Sequence, residues 1–205
     1  MAKKEDLGPK KIATQRRSIE TVDAILQATQ EFIQQDKLDS LTTNKIADRA
    51  GVNISSLYQY FPNKNSVLQM ILKIFINQEA KTFTNLLKSV SKYSPEEKID
   101  TFIAFTYDHN IKRKKIIKLF ASTIFDFENT SLIEKFDLLF IDILKENVFP
   151  NIKHPNLDVK LLLVIQLVRY SIVSSIFYKE IKFDRKIIQE ELKLAILSYL
   201  KPQLS

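Results

Sequence analysis

With 205 residues, 45% of them hydrophobic, the chain is long enough for one large or two small domains around a substantial core. Its two glycines, Gly8 and Gly51, cannot write a P-loop or a GxGxxG turn and disfavour strand-rich folds, so a mostly helical protein is expected. The absence of cysteine removes disulfides, thiolate chemistry and zinc ribbons, while a net charge of +7 suggests an anionic partner, nucleic acid or a membrane surface.

Residues 1–15 read as a disordered basic arm, with Lys3, Lys4, Lys10 and Lys11 around Gly8-Pro9. Met1 to Arg17 holds no apolar stretch that could serve as a secretory signal, so the protein is expected in the cytoplasm. From Arg16 to about Gln35, Ile19, Val22, Ile25, Leu26, Phe32 and Ile33 recur at three- and four-residue spacing and predict a helix with one apolar face. Thr42 can cap a short helix over 43–50, Gly51 supplies a turn, and a second short helix runs from about Asn53 to Phe61. After Pro62 a long helix carries Val67, Leu68, Ile71, Leu72, Phe75, Phe83, Leu86, Leu87 and Val90. Beyond Pro95 the pattern predicts helices over about 96–109, 113–127, 131–149, 158–180 and 184–201. Their boundaries are a possible Ser131/Glu134 capping box, the prolines Pro150 and Pro155, a cap at Asp184 and a stop at Pro202. The stretch Leu161 to Tyr178 is apolar enough to suggest a membrane span. It places Gln166 and Arg169 near its middle, however, and a helix buried between protein surfaces is the better reading.

Thr42 to Phe61 is therefore a helix, a glycine turn and a second helix, the helix-turn-helix arrangement. With Leu57 toward the core, Ile54 and Phe61 fall within about 60° of it, while Ser55 and Gln59 fall opposite, flanked by Ser56 and Tyr58. A small polar face suits the major groove, where Ser can donate or accept at base edges and Gln can pair bidentately with adenine. On the face pattern alone, an ordinary helical hairpin with a solvated face stands level with this reading.

The run Thr42-Thr43-Asn44-Lys45-Ile46-Ala47-Asp48-Arg49-Ala50-Gly51-Val52, continued by Ser56-Leu57-Tyr58-Gln59-Tyr60-Phe61-Pro62-Asn63-Lys64, resembles the DNA-binding domain of the TetR family of bacterial transcriptional regulators. The resemblance covers about residues 17–77. It implies an all-α fold of about nine helices: a three-helix DNA-binding domain over 16–77 and a larger effector-binding and dimerisation domain over 78–205. It further implies a homodimer on a palindromic operator, a repressor released by a small ligand, with no catalytic activity, no metal and no cofactor. In that frame Ile54, Ser55 and Gln59 face bases, and Thr43, Tyr58, Tyr60 and Lys64 face phosphates. Arg17, Thr42, Asn53 and Ser56 complete the expected DNA-contacting set. Two departures stand out. Ser55 occupies a position where the family often has glycine, and no glycine lies near Lys37, where a left-handed residue costs ~1 to 2 kcal/mol unless the loop is rerouted. Residues 1–64 hold 10 basic and 8 acidic side chains, so local placement and not bulk charge has to carry DNA binding, with the arm along phosphate or in the minor groove as one contribution.

In the remaining chain Lys112-Arg113-Lys114-Lys115 reads as a solvated loop, and His109 beside Asp108 as a surface or capping histidine in preference to a metal or ligand pair. Aromatics crowd the central helices, which ordinarily means core. The resemblance implies a cavity among them, and Phe102, Phe105, Phe120, Phe125, Phe140, Tyr170 and Phe177 are the candidates to line a pocket for a hydrophobic or aromatic effector. The helix over 158–179 is apolar on two stripes, one through Leu161, Ile165, Val168 and Ile172, the other through Leu163, Leu167, Tyr170, Ser174 and Phe177. Pairing with a second copy is expected to use Leu161, Ile165, Val168, Ile172 and Ser175 together with Ile188, Leu192, Ala195 and Tyr199, as a four-helix bundle. The alternative functions are a helical protein-binding adaptor, an activator without an effector, and an all-helical enzyme, the last without a recognisable acid, base or nucleophile set.

Overall fold

A computed structural model describes residues 16–124, 131–178 and 184–204, the side chains of 120, 122–124 and 201–204 excepted. Among these residues the protein is all-α, with nine α-helices, one 3-10 turn and no strand. The expected arm over residues 1–15 lies outside them. The chain divides into two compact units, Met1–Phe75 and Ile76–Ser205.

The first unit holds α1 (Arg16–Gln34), a 3-10 turn (Leu38–Ser40), α2 (Thr43–Ala50), α3 (Ile54–Tyr60) and the start of α4 (Lys64–Ser89). The helical spacing of α1 buries Ile25, Leu26, Ala28 and Ile33, and the buried Thr29 satisfies its hydroxyl by donating to the Ile25 carbonyl at 2.8 Å. Around them close Ile46, Leu57, Phe61 and Val67, each fully buried. The left-handed residue after α1 is Asp36, at φ 56°, and not Lys37, which sits at φ −108°. Aspartate tolerates that conformation better than lysine does, so the chain turns there without a glycine.

The second unit holds the rest of α4 with α5 (Pro95–Lys112), α6 (Lys114–Ile124), α7 (Ser131–Asn147), α8 (Leu157–Phe177) and α9 (Arg185–Leu204). A capping box opens α5: the Glu97 amide donates to Ser94 Oγ at 3.2 Å and the Ser94 amide to Glu97 Oε2 at 2.8 Å, with Pro95 as the first helical residue. Asp184 caps α9 by accepting the Lys186 amide at 2.8 Å. Contrary to the expected stop at Pro202, α9 runs to Leu204; proline removes one amide donor but its φ is helical, and in a final turn the loss is small. The core is built on Phe83, whose ring lies 4.8 Å from Phe102 and 5.8 Å from Phe140.

α8 is long and apolar enough to cross a membrane, with a mean hydropathy of 1.7. One of its stripes, Leu161, Val164, Ile165, Val168 and Ile172, is buried in the unit's own core, as a core helix requires. Arg169 is buried with them and is met by Asp137 of α7: Nη1 donates to Oδ1, and Nη2 lies 3.4 Å from Oδ2.

Candidate nucleic-acid interface

Each element of the helix-turn-helix is set by a short-range cap. Thr42 Oγ1 accepts the Lys45 amide at 3.3 Å and starts α2. Gly51 ends it at φ 65°, its amide donating to the carbonyls of Ala47 and Asp48. A Cβ on Gly51 would meet nothing within 4 Å, so glycine is required there by backbone conformation and not by space. Asn53 starts α3, its Oδ1 accepting the Ser55 amide at 2.9 Å and the Ser55 hydroxyl at 2.8 Å. Asn63 and Ser66 start α4 reciprocally: the Ser66 amide donates to Asn63 Oδ1 at 2.9 Å and the Asn63 amide to Ser66 Oγ at 3.4 Å, while the Ser66 hydroxyl donates to the Asn63 carbonyl at 2.7 Å. This last cap was hidden in the sequence behind the Pro62 break.

The faces of α3 follow from Leu57, which is fully buried. Ser55, Tyr58 and Gln59 are exposed, while Ile54 and Ser56 are half-buried at the margins. Tyr58 Oη lies 3.0 Å from Thr43 Oγ1, so the two nominated side chains tie the first turn of α2 to the middle of α3. The ring of Tyr60 belongs to the core, the residue being 5% exposed, because it falls on the Leu57 side of the helix. Thr42 and Asn53 are exposed and act as caps, Lys64 is half-buried at the start of α4, and Arg17 is exposed in the first turn of α1.

Among the described residues of this unit, three of the basic side chains are engaged within the protein. Arg16 pairs with Glu20 at 3.0 Å, Arg49 with Glu31 at 2.5 Å, and Lys45 Nζ donates to the Ser40 carbonyl at 2.8 Å. Arg17 and Lys64 have no ion pair among the described residues, which makes them the nominated cations best placed to meet phosphate.

In the second unit the nominated pocket residues separate. Phe102 and Phe140 are buried core rings, and Phe105 is half-buried and stacked on His109 at 4.8 Å. Their rings pack against Phe83. Tyr170 and Phe177 do line a hollow of about 450 Å³, together with Lys118, Ala121, Val173, Ser174 and Tyr178. The Phe120 side chain and Phe125 lie outside the described residues. His109 is paired with Glu79, 3.0 Å from Oε2, and Arg113 meets the same carboxylate; Asp108 pairs with Arg185. Among the described residues no group of three or more His, Cys, Asp or Glu side chains could hold a metal ion.

The nominated pairing residues also need correction. Leu161, Ile165, Val168, Ile172 and Leu192 are buried in the chain's own core and are not available to a second copy. Ile188 packs partly against that core, and Ser175 is half-buried with its hydroxyl donated to the Ile172 carbonyl at 2.8 Å. Ala195 and Tyr199 are exposed. Among the described side chains of the two helices the large outward apolar ones are Val159, Leu163, Leu167 and Tyr170 on α8 and Ile187, Leu194 and Tyr199 on α9, so the second apolar stripe of α8, and not the first, faces outward.

Residues 25–71 match the family model described as bacterial regulatory proteins, tetR family. The chain is 29% identical over 147 residues to the transcriptional repressor KstR2 of Mycolicibacterium smegmatis, a match covering 68% of this chain and 70% of that protein. Its fold is similar to a TetR-family transcriptional regulator from Mesorhizobium loti, with a TM-score of 0.64 at 15% identity over 92% of this chain and 98% of the other. It is also similar to the regulator FadR of Bacillus subtilis in complex with stearoyl-CoA, with a TM-score of 0.63 at 16% identity over 88% and 98%. The capped helix-turn-helix thus lies within residues that match the TetR-family model, and the chain as a whole is similar to TetR-family DNA-binding transcriptional regulators.

Proposed function

We propose that the protein is a cytoplasmic, non-catalytic repressor that binds a palindromic operator as a homodimer and is released by a hydrophobic or aromatic effector. The domain assignment that goes with it is DNA binding over 16–77 and effector binding and dimerisation over 78–205, with the basic arm 1–15 along phosphate. The observation that carries the reading is the α3 face, with Ser55 and Gln59 exposed opposite the fully buried Leu57. Arg17, Thr43, Tyr58 and Lys64 flank it as phosphate contacts. Release is supported by the hollow beside Tyr170 and Phe177, whose 450 Å³ lies in the range of ~300–1,000 Å³ usual for small-molecule sites. The likeness to a FadR that holds stearoyl-CoA favours an apolar ligand. Homodimerisation is supported by the outward apolar stripe of α8.

In this mechanism two α3 helices enter successive major grooves about 34 Å apart, and effector binding shifts α4 so that the spacing no longer fits. Duplexes selected from a random pool, followed by fluorescence anisotropy at several salt concentrations, test it. Gln59→Ala is expected to relax base choice at one position, whereas Lys64→Ala weakens every sequence about equally and reduces the salt slope by ~0.9 for each phosphate no longer neutralised. Two substitutions without effect would reject the interface. Equal operator affinity with and without a compound shown to bind, stearoyl-CoA being one to try, would reject release.

A further inference from the structure

Ser55 has its hydroxyl proton already committed. The orientation of the Asn53 amide is fixed by the backbone, since the Ser55 N–H donates to Asn53 at 2.9 Å and only the carbonyl oxygen can accept it. The Ser55 hydroxyl lies 2.8 Å from that same Oδ1, which has no hydrogen to give, so Ser55 Oγ must be the donor. A hydroxyl has one proton and two lone pairs. With the proton directed at Asn53, the exposed side of Ser55 presents lone pairs alone.

We infer that Ser55 reads the operator only as a hydrogen-bond acceptor, from the exocyclic amino group of a base in the major groove, and that Asn53 is the positioning residue that fixes this polarity. The inference rests on the reading that α3 faces the bases and adds the atom it recognises. The amino donors available in that groove are adenine N6 and cytosine N4, and the acceptors it forgoes are guanine O6, thymine O4 and purine N7. The polarity matters because every base pair offers both an amino donor and acceptors in this groove, so a free serine, able to use either, discriminates poorly. A serine locked as acceptor ignores N7, which adenine and guanine share, and responds to where the amino group sits.

The decisive experiment deletes single atoms from the DNA. The base pair whose selection depends on Ser55 is located by comparing pools selected by the wild-type protein and by Ser55→Ala. That pair is then built without the amino group, with purine for adenine or 2-pyrimidinone for cytosine, and separately without the acceptor, with a 7-deaza purine or 2-aminopurine for guanine. Amino deletion is expected to weaken wild-type binding roughly two- to tenfold, the range of one net hydrogen bond, and to leave Ser55→Ala unchanged. Acceptor deletion is expected to affect the two proteins equally. Asn53→Asp keeps the accepting oxygen and so keeps the coupling to the amino group, at lower affinity for every sequence. Asn53→Ala frees the proton and brings sensitivity to acceptor deletion.

Coupling of Ser55 to an acceptor atom in the wild-type protein would overturn the inference while leaving the interface intact. A pool that enriches normally but shows no position dependent on Ser55 would overturn the assignment of that face to the bases, and the inference with it.

Discussion

Tyr107 shows how one buried polar group sets a pH dependence for the second unit. Its side chain is 1% exposed, and its hydroxyl donates to the Ser171 carbonyl at 3.3 Å, joining α5 to α8. Burial pushes the phenol above its ordinary value of 10.0, offset in part by the Ser175 hydroxyl and the positive charge of Arg185. A raised value in the folded state means that folding favours the neutral phenol. The stabilisation is complete below pH 10 and is lost as pH rises through the folded value. The half-buried Lys145, raised first by its hydrogen bond to Asp158, moves stability in the same sense, so the alkaline decline has more than one source. Tyr107→Phe is expected to cost about 1 kcal/mol at neutral pH through the lost hydrogen bond and to flatten the decline above pH 10. Urea unfolding at neutral and alkaline pH checks this, and an alkaline slope identical to wild type would assign the decline elsewhere. Tyr107 is one of many central aromatics in the sequence, and its partner lies 64 positions away, beyond the reach of any local pattern. Thr42, Gly51 and Asp184 could be read directly because each cap and the backbone group it satisfies are two to four residues apart.

α8 shows both what periodicity specifies and where it stops. Its two apolar stripes are evident from spacing, but a helix apolar on both sides has no amphipathic direction, and nothing local says which stripe turns inward. The tertiary answer lies with α7, which places Asp137 opposite Arg169 and so draws that charge, together with Leu161, Val168 and Ile172, into the core. The arrangement is costly to leave half made. Arg169 Nε is buried without a partner among the described residues, and its guanidinium lies 5.4 Å from the Phe136 ring. Removing the carboxylate with Asp137→Ala leaves an uncompensated buried cation and is expected to destabilise the protein by about 3–5 kcal/mol. Replacing both partners, Asp137→Leu with Arg169→Met, is expected to recover most of that loss, because two apolar side chains of similar reach need no desolvated pair. Chemical denaturation of the single and double variants decides it. A double variant as unstable as the single one would mean that the pair contributes packing geometry that apolar side chains cannot supply.

The reversal of the α8 stripes changes where a second copy would dock in the proposed homodimer. Val159 is 57% exposed, Leu163 48% and Leu167 43%, and they recur every four residues along one side of the helix, with Tyr170 three further on. Four large apolar groups in one row are more than scattered surface hydrophobics require, and a partner surface is the usual reason for such a row. If the proposed dimer forms there, inward and outward positions on the same helix will respond differently to the same substitution. A charge at fully buried Leu161 is expected to unfold the second unit, since an unpaired carboxylate cannot be solvated in that core. A charge at Leu163 or Leu167, as in Leu163→Asp with Leu167→Asp, is expected to leave helicity and thermal unfolding of the monomer intact while splitting the dimer. Operator affinity should then fall by orders of magnitude, because each half-site is bound alone and the effective concentration supplied by the linked partner is lost. Sedimentation velocity alongside circular dichroism separates these outcomes. A doubly charged variant that still sediments as a dimer would move the interface away from this row, and the remaining outward apolar side chains of α9, Ile187, Leu194 and Tyr199, would become the surface to substitute next.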